Sequence, residues 1–233
     1  LRLGDCLEGL RTLPDGSVDY CFADPPYGIR YRSAKPYRYG PVLNDNLPSA
    51  RLREFLDNVF AEVHRVLRPD SALHVCSGWS AGDVILPVLK RHFQVRACIV
   101  WHKVSPGMGW WVRSLHEFVF FCTKGTPEPP RPAPVDIWPI PRVPVPRRIH
   151  SCQKPTGLVL QAMTPFTHPG QLVLDPFAGS ATTAVACLES GRRFIGWEQD
   201  PTNHQRASLR IQRAMAERAA ALDRLGEQAG GHD

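Results

Sequence analysis

Apolar residues along the chain fall into short continuous runs that alternate with stretches where they recur every three or four positions. Val18–Ala23 is a continuous run ending at Asp24-Pro25-Pro26, where two prolines forbid further ladder pairing, so it predicts a buried strand whose carboxyl end meets a loop. Open α/β sheets place their ligands at such ends. Between Pro48 and Pro69, Leu52, Phe55, Leu56, Val59, Phe60, Val63, Val66 and Leu67 keep the helical period and predict an amphipathic helix over 49–67. Strands are predicted at 72–76, 95–101 and 118–122, with a helix near 81–91 between the first two. Later the alternation resumes with a helix at 156–166, a strand at 172–174, a helix at about 181–190, a strand at 193–197 and a long helix at about 202–225. This order predicts an α/β domain, and no internal repeat is visible.

Residues 127–146 interrupt the alternation. Nine of these twenty are proline, which excludes a helix or a central strand and favours extended polyproline segments. Taken as 125–150, this stretch reads as an insertion within one domain spanning 1–233. With 233 residues, 43% of them hydrophobic, the chain is long enough for one large α/β core. It shows no apolar run of membrane-spanning length and no secretory leader, so a soluble cytoplasmic protein is expected. Seven cysteines are scattered without a Cys-x-x-Cys pair, which predicts neither a zinc site nor a disulfide framework; no metal is expected. A formal charge of +6 favours a polyanionic partner. The arginines of the last helix, at 206, 210, 213, 218 and 224, read as a solvated face.

Two segments carry chemistry. In Leu174-Asp175-Pro176-Phe177-Ala178-Gly179-Ser180-Ala181-Thr182 a strand, a small-residue loop and a helix start follow directly, so backbone can approach a ligand and the first N–H groups of the helix can meet its polar atoms. Glu198 ends a second strand about 20 residues on, the spacing at which acids hold ribose hydroxyls in dinucleotide folds. There is no Gly-x-Gly-x-x-Gly and no Gly-Lys-Ser/Thr, so an adenosyl cofactor without phosphates fits better than a dinucleotide or a nucleoside triphosphate. The other segment, Asp24-Pro25-Pro26-Tyr27, joins a carboxylate, two fixed residues and an aromatic ring at a strand end. The exocyclic amine of a base is a poor nucleophile, because its lone pair is delocalised into the ring. A catalyst must hold it pyramidal and accept its proton. The Asp24 carboxylate and the proline-locked carbonyl of Pro25 supply two acceptors, and Tyr27 a surface to stack on a base flipped from the duplex.

Together these motifs resemble the β group of the DNA amino-methyltransferases. The tetrapeptide precedes the cofactor loop by 151 residues (24 to 175), the order of that permutation and not that of the protein-glutamine or most RNA enzymes. Gly4-Asp5-Cys6-Leu7-Glu8, Arg113-Ser114-Leu115-His116-Glu117 and Gln153-Lys154-Pro155 are similar to further family segments. The resemblance implies a single Rossmann-like, circularly permuted S-adenosylmethionine-dependent methyltransferase domain with a mixed, mostly parallel seven-stranded sheet. It implies that Asp24, Pro25, Pro26 and Tyr27 are catalytic, with Asp24 also counted among the cofactor contacts. Asp5 and Cys6 would lie by the cofactor adenine, Lys154, Asp175, Pro176, Phe177, Gly179, Ser180 and Thr182 by its methionine part, and Glu198 at its ribose. His116 and Glu117 resemble a segment bordering the site and are left outside the catalytic set. The family usually has Gly where this chain has Ala181, an exchange carried easily if that residue is already helical.

Within the family a leading Asp goes with adenine N6 and a leading Ser with cytosine N4, so adenine is expected. No cysteine follows a proline, which sets aside cytosine-C5 chemistry. Arg30, Tyr31, Arg32, Lys35 and Arg38 interleave cations with rings directly after the tetrapeptide, and Arg142, Arg147 and Arg148 close the proline-rich stretch. These residues are the expected DNA contacts, and 125–150 is the candidate target-recognition segment. So short a segment predicts relaxed specificity, with the modification companion of a restriction enzyme as the other role. RNA is the alternative polymer, and family analogy allows a homodimer.

Overall fold

The computed structural model describes residues 1–29, 43–107, 111–150 and 152–229. Strands are β1 (Arg2–Leu3), β2 (Val18–Ala23), β3 (Leu67–Ser77), β4 (Gln94–His102), β5 (His116–Lys124), β6 (Ile137–Pro139), β7 (Leu172–Asp175) and β8 (Arg193–Glu198). Helices are α1 (Cys6–Arg11), α2 (Ser49–Val66), α3 (Gly82–His92), α4 (Thr156–Met163), α5 (Thr182–Glu189) and α6 (Pro201–Ala229). One sheet runs β1-β8-β7-β2-β3-β5-β4-β6, parallel except for β5, which is antiparallel to both β3 and β4. The expected contacts Arg30, Tyr31, Arg32, Lys35 and Arg38 lie outside the described residues.

Strand β2 is buried on both sides, as its continuous apolar run requires. Cys21 and Ala23 face a layer that includes Leu10 of α1, Leu56, Val59 and Phe60 of α2 and Ile85 of α3. Tyr20 and Phe22 face the opposite layer with Leu158 of α4 and Ala186 of α5. Among the described residues, no helix is long and apolar enough to cross a membrane.

The sheet has eight strands where seven were expected. Both outer strands, β1 and β6, are too short to carry an alternation, and β6 sits inside the proline-rich stretch. An edge position makes that compatible: β6 pairs with β4 on one side only, so Pro139 interrupts no second ladder. Trp138 is buried and donates from Nε1 to the Val135 carbonyl at 2.8 Å, so this stretch contributes an anchor to the core. Helix α1 also went without a periodic signal, since six residues give barely two turns. Its start is set by Asp5, whose side chain accepts from the N–H groups of Leu7 and Glu8 at 2.8 and 3.2 Å.

Behind the sheet, His74 is buried against Phe121, Trp138 and Phe166, and its Nδ1 lies 2.7 Å from the Tyr20 hydroxyl. Burial lowers its pKa from 6.5 to about 3. Below pH 6.5 the unfolded chain therefore binds a proton that the folded one refuses, and stability is lost as pH falls toward 3. Between pH 7 and pH 5 this amounts to about 2 kcal/mol. Urea unfolding at both values is expected to show wild type losing about that much more than His74→Gln. Equal losses in the two proteins would refute the assignment.

Candidate active site

Strands β8, β7 and β2 are successive neighbours, and their carboxyl ends carry Glu198, Asp175 and Asp24. Register brings Cys21 opposite Leu174, so two loops 151 residues apart in sequence leave the sheet side by side. One cavity of about 750 Å³ opens there. It is lined by Asp24, Pro25, Pro26 and Tyr27 and by every residue expected at the cofactor: Asp5, Cys6, Lys154, Asp175, Pro176, Phe177, Gly179, Ser180, Thr182 and Glu198.

Asp24 is the centre of a charged network. Lys154 Nζ donates to both of its carboxylate oxygens at 2.7 Å, and the Tyr27 hydroxyl donates to Oδ1 at 2.9 Å. Lys154 also lies 3.3 Å from Glu117 Oε2, while Lys103 lies 2.6 Å from Glu117 Oε1. Burial pushes the Asp24 carboxyl above the usual range despite the pull of Lys154. Burial acts on Glu117 in the same sense, but Lys154 and Lys103 together hold that carboxyl low. Burial alone would strip Lys154 of its proton; Asp24 and Glu117 outweigh it and keep the ammonium charged. Oδ1 takes two donors and Oδ2 only one among the described residues, so Oδ2 retains a lone pair for a further N–H.

The loop after Asp24 is pinned from behind. Buried Asp45 accepts from the backbone N–H groups of Tyr27 and Gly28, both at 3.0 Å, across a turn in which Gly28 has φ +71°. The Tyr27 ring lies against the Gly78 backbone, where an added Cβ would approach it to 3.2 Å.

On the other side of the cavity, Asp175 accepts from Thr183 Oγ1 at 2.6 Å and from the Phe177 N–H at 2.9 Å, yet burial raises its pKa to about 7. Burial also raises Glu198, whose Oε1 accepts from the Asp200 N–H at 2.8 Å. Burial pushes the Cys6 thiol up to about 12, so it stays neutral. Three carboxylates held above their usual range in one cavity, Asp24, Asp175 and Glu198, form a setting that a cationic ligand relieves.

Two expectations change here. Ala181 is not helical: α5 begins at Thr182, and Ala181 has φ +57°, a left-handed conformation that favours glycine. That conformation costs about 1–2 kcal/mol. Its fully buried methyl returns roughly 0.8 kcal/mol and the smaller entropy of the unfolded chain a similar amount, so alanine is tolerated. Arg210 does not belong to a solvated face. It reaches back to the cofactor loop and donates from Nη1 to the Ser180 carbonyl at 2.8 Å and to Thr182 Oγ1 at 3.0 Å. Arg213 on the same helix is exposed.

Of the expected DNA contacts, Arg142 and Arg148 line the cavity; Arg147 is exposed in a short 3₁₀ turn and does not. Sequence reasoning left Glu117 outside the catalytic set and missed Asp45 and Arg210 as supports. Glu117 had a signal in its segment, next to a strand start. Asp45 and Arg210 had none, because each acts through contacts 17 to 30 residues away.

The fold and this cavity are those of a methyltransferase. The solved structure of TTHA0409 from Thermus thermophilus, a DNA modification methylase complexed with S-adenosyl-L-methionine, aligns over 91% of this chain and 93% of that one, with a TM-score of 0.68 at 25% identity. A family model described as DNA methylase, named for N6 and N4 methyltransferases, matches residues 18–208, and the chain belongs to that family. YubD of Escherichia coli strain K12, named as a methylase, is 33% identical over 226 residues, which cover 94% of each protein. The DNA adenine methyltransferase YhdJ of the same strain is 29% identical, over 84% of this chain and 76% of that protein.

Proposed function

We propose that the protein methylates the exocyclic N6 of adenine in double-stranded DNA, using S-adenosylmethionine and acting on a base flipped into the cavity. The observation that carries this reading is Asp24, a buried carboxylate with a lone pair left on Oδ2, set beside the Asp175–Glu198 cofactor side of one cavity. The leading Asp of the tetrapeptide and the name of YhdJ support adenine.

S-adenosylmethionine carries a net positive charge and supplies an electrophilic methyl group on sulfur. Asp175, Phe177, Gly179, Ser180 and Lys154 would hold its methionine part, Glu198 its ribose and Asp5 with Cys6 its adenine. Asp24 Oδ2 accepts a hydrogen bond from the target amine, the Pro25 carbonyl a second, and together they turn the nitrogen lone pair out of the ring plane. As nitrogen gains the methyl it becomes acidic, and Asp24, whose proton affinity burial has raised, takes the proton. Tyr27 holds the base in plane by stacking, its own backbone fixed by Asp45.

Nucleosides released from unmethylated DNA after incubation with the protein and S-adenosylmethionine are expected to contain N6-methyladenine by mass spectrometry. N4-methylcytosine alone would overturn adenine as the target, and methyl transfer to RNA but not DNA would overturn the polymer. If sequencing of methylated sites gives five or more defined bases, relaxed specificity fails and the restriction-companion role gains.

A further inference from the structure

Trp79 exposes 85% of its surface although it follows the carboxyl end of β3 by two residues and lines the mouth of the cavity. Its neighbour Gly78 is the backbone against which the Tyr27 ring lies. Among the described residues no ring packs on the Trp79 indole. Ile29, Leu43 and Val145, also exposed, continue an apolar rim around the same opening. A large aromatic surface left in water at a cavity mouth marks a contact with a partner.

Charge identifies that partner as a polyanion. Arg142 and Arg148 line the cavity with this rim, and no exposed residue of the lining is acidic. A basic protein surface would meet no complementary charge here, whereas a duplex offers both phosphates for the arginines and flat base pairs for the indole. The indole is outside the enclosed part of the cavity, so it is placed to meet the helix stack and not the base that enters.

We propose that Trp79 enters the duplex beside the target base and stacks on the adjoining pair, stabilising the gap that extrusion leaves. This rests on the base-flipping reading above. Extruding a base forfeits its stacking, and a side chain that replaces the lost contact shifts the equilibrium toward the flipped state. In single-stranded DNA there is no such gap to fill.

Initial rates of tritiated methyl transfer to unmethylated bacterial genomic DNA, native and heat-denatured, test this with wild type, Trp79→Ala and Trp79→Phe. Trp79→Ala is expected to lose about tenfold or more on native DNA and under about twofold on denatured DNA, with Trp79→Phe recovering most of the loss. Equal losses on both substrates, or no loss on native DNA, would overturn the proposal. A second readout is independent of turnover: native DNA is expected to quench wild-type tryptophan fluorescence and to quench Trp79→Phe less at equal occupancy. An unchanged quench would also overturn it. If wild type itself transfers no methyl to DNA, the functional reading fails first, and the quench still decides the role of Trp79.

Discussion

Alanine at position 24 is expected to lower kcat by about 10³-fold or more, with the KM for S-adenosylmethionine changing far less. The carboxylate does two things that no neighbour duplicates: it offers Oδ2 to the amine and it takes the proton. Glu117 is near, but its two oxygens are engaged by Lys103, Lys154 and Tyr27, and its carboxyl is held low by the two ammoniums. It is thus a weaker base already in use. Asp24→Asn keeps an acceptor and loses the proton sink, so an intermediate loss of about 10²-fold is expected. Tritiated methyl transfer on unmethylated DNA measures both. Full activity in Asp24→Ala would remove the mechanism outright.

The second large effect concerns stability. Lys154→Met is expected to destabilise the protein by about 3 kcal/mol, because it leaves Asp24 and Glu117 facing each other without the ammonium between them. Both carboxylates keep about a fifth of their side chains exposed, which places the loss at the lower end for a broken buried pair. For a chain of this size that corresponds to a fall in Tm of roughly 6–12 °C. The sign with pH follows directly. Without Lys154 both carboxyls are raised in the folded state, so acid neutralises the repulsion and the gap between variant and wild type narrows as pH falls through the carboxylate range. Thermal melts at pH 7.5 and pH 5 check this; a Tm within a degree of wild type at both values would contradict the network. Arginine at 154 would not restore it, since a planar fork cannot reproduce one nitrogen placed between three oxygens.

The chemistry of the site was legible because it sits in contiguous motifs. Asp24-Pro25-Pro26-Tyr27 and Asp175 to Thr182 each place their functional groups within one loop at a strand end, so residue order alone carried the geometry. The same holds for β2, whose run of apolar residues has no exposed side, and for α2, whose stripe of Leu52, Leu56, Val59, Phe60 and Val63 is long enough to show a period. Short elements escaped: β1, β6 and α1 are held by pairing or capping and give no periodic pattern. The backbone of Ala181 escaped for a related reason. A residue just before a helix takes its dihedrals from the loop it closes, and a following run of helix formers says nothing about them.

Strand and helix alternation, the two loops that carry the reacting groups and the acid on the ribose side are local properties, and local interactions write them into residue order. Which loops meet is not local. The pairing of β7 with β2 and β8 sets Asp24, Asp175 and Glu198 around one cavity, and folding alone then places Lys154 between Asp24 and Glu117 from 130 residues away. The protonation of that network follows from burial and from charges contributed by β2, β5, the segment after β4 and the segment before α4. Desolvation and Coulomb terms depend on distance in space, and no spacing along the chain encodes them.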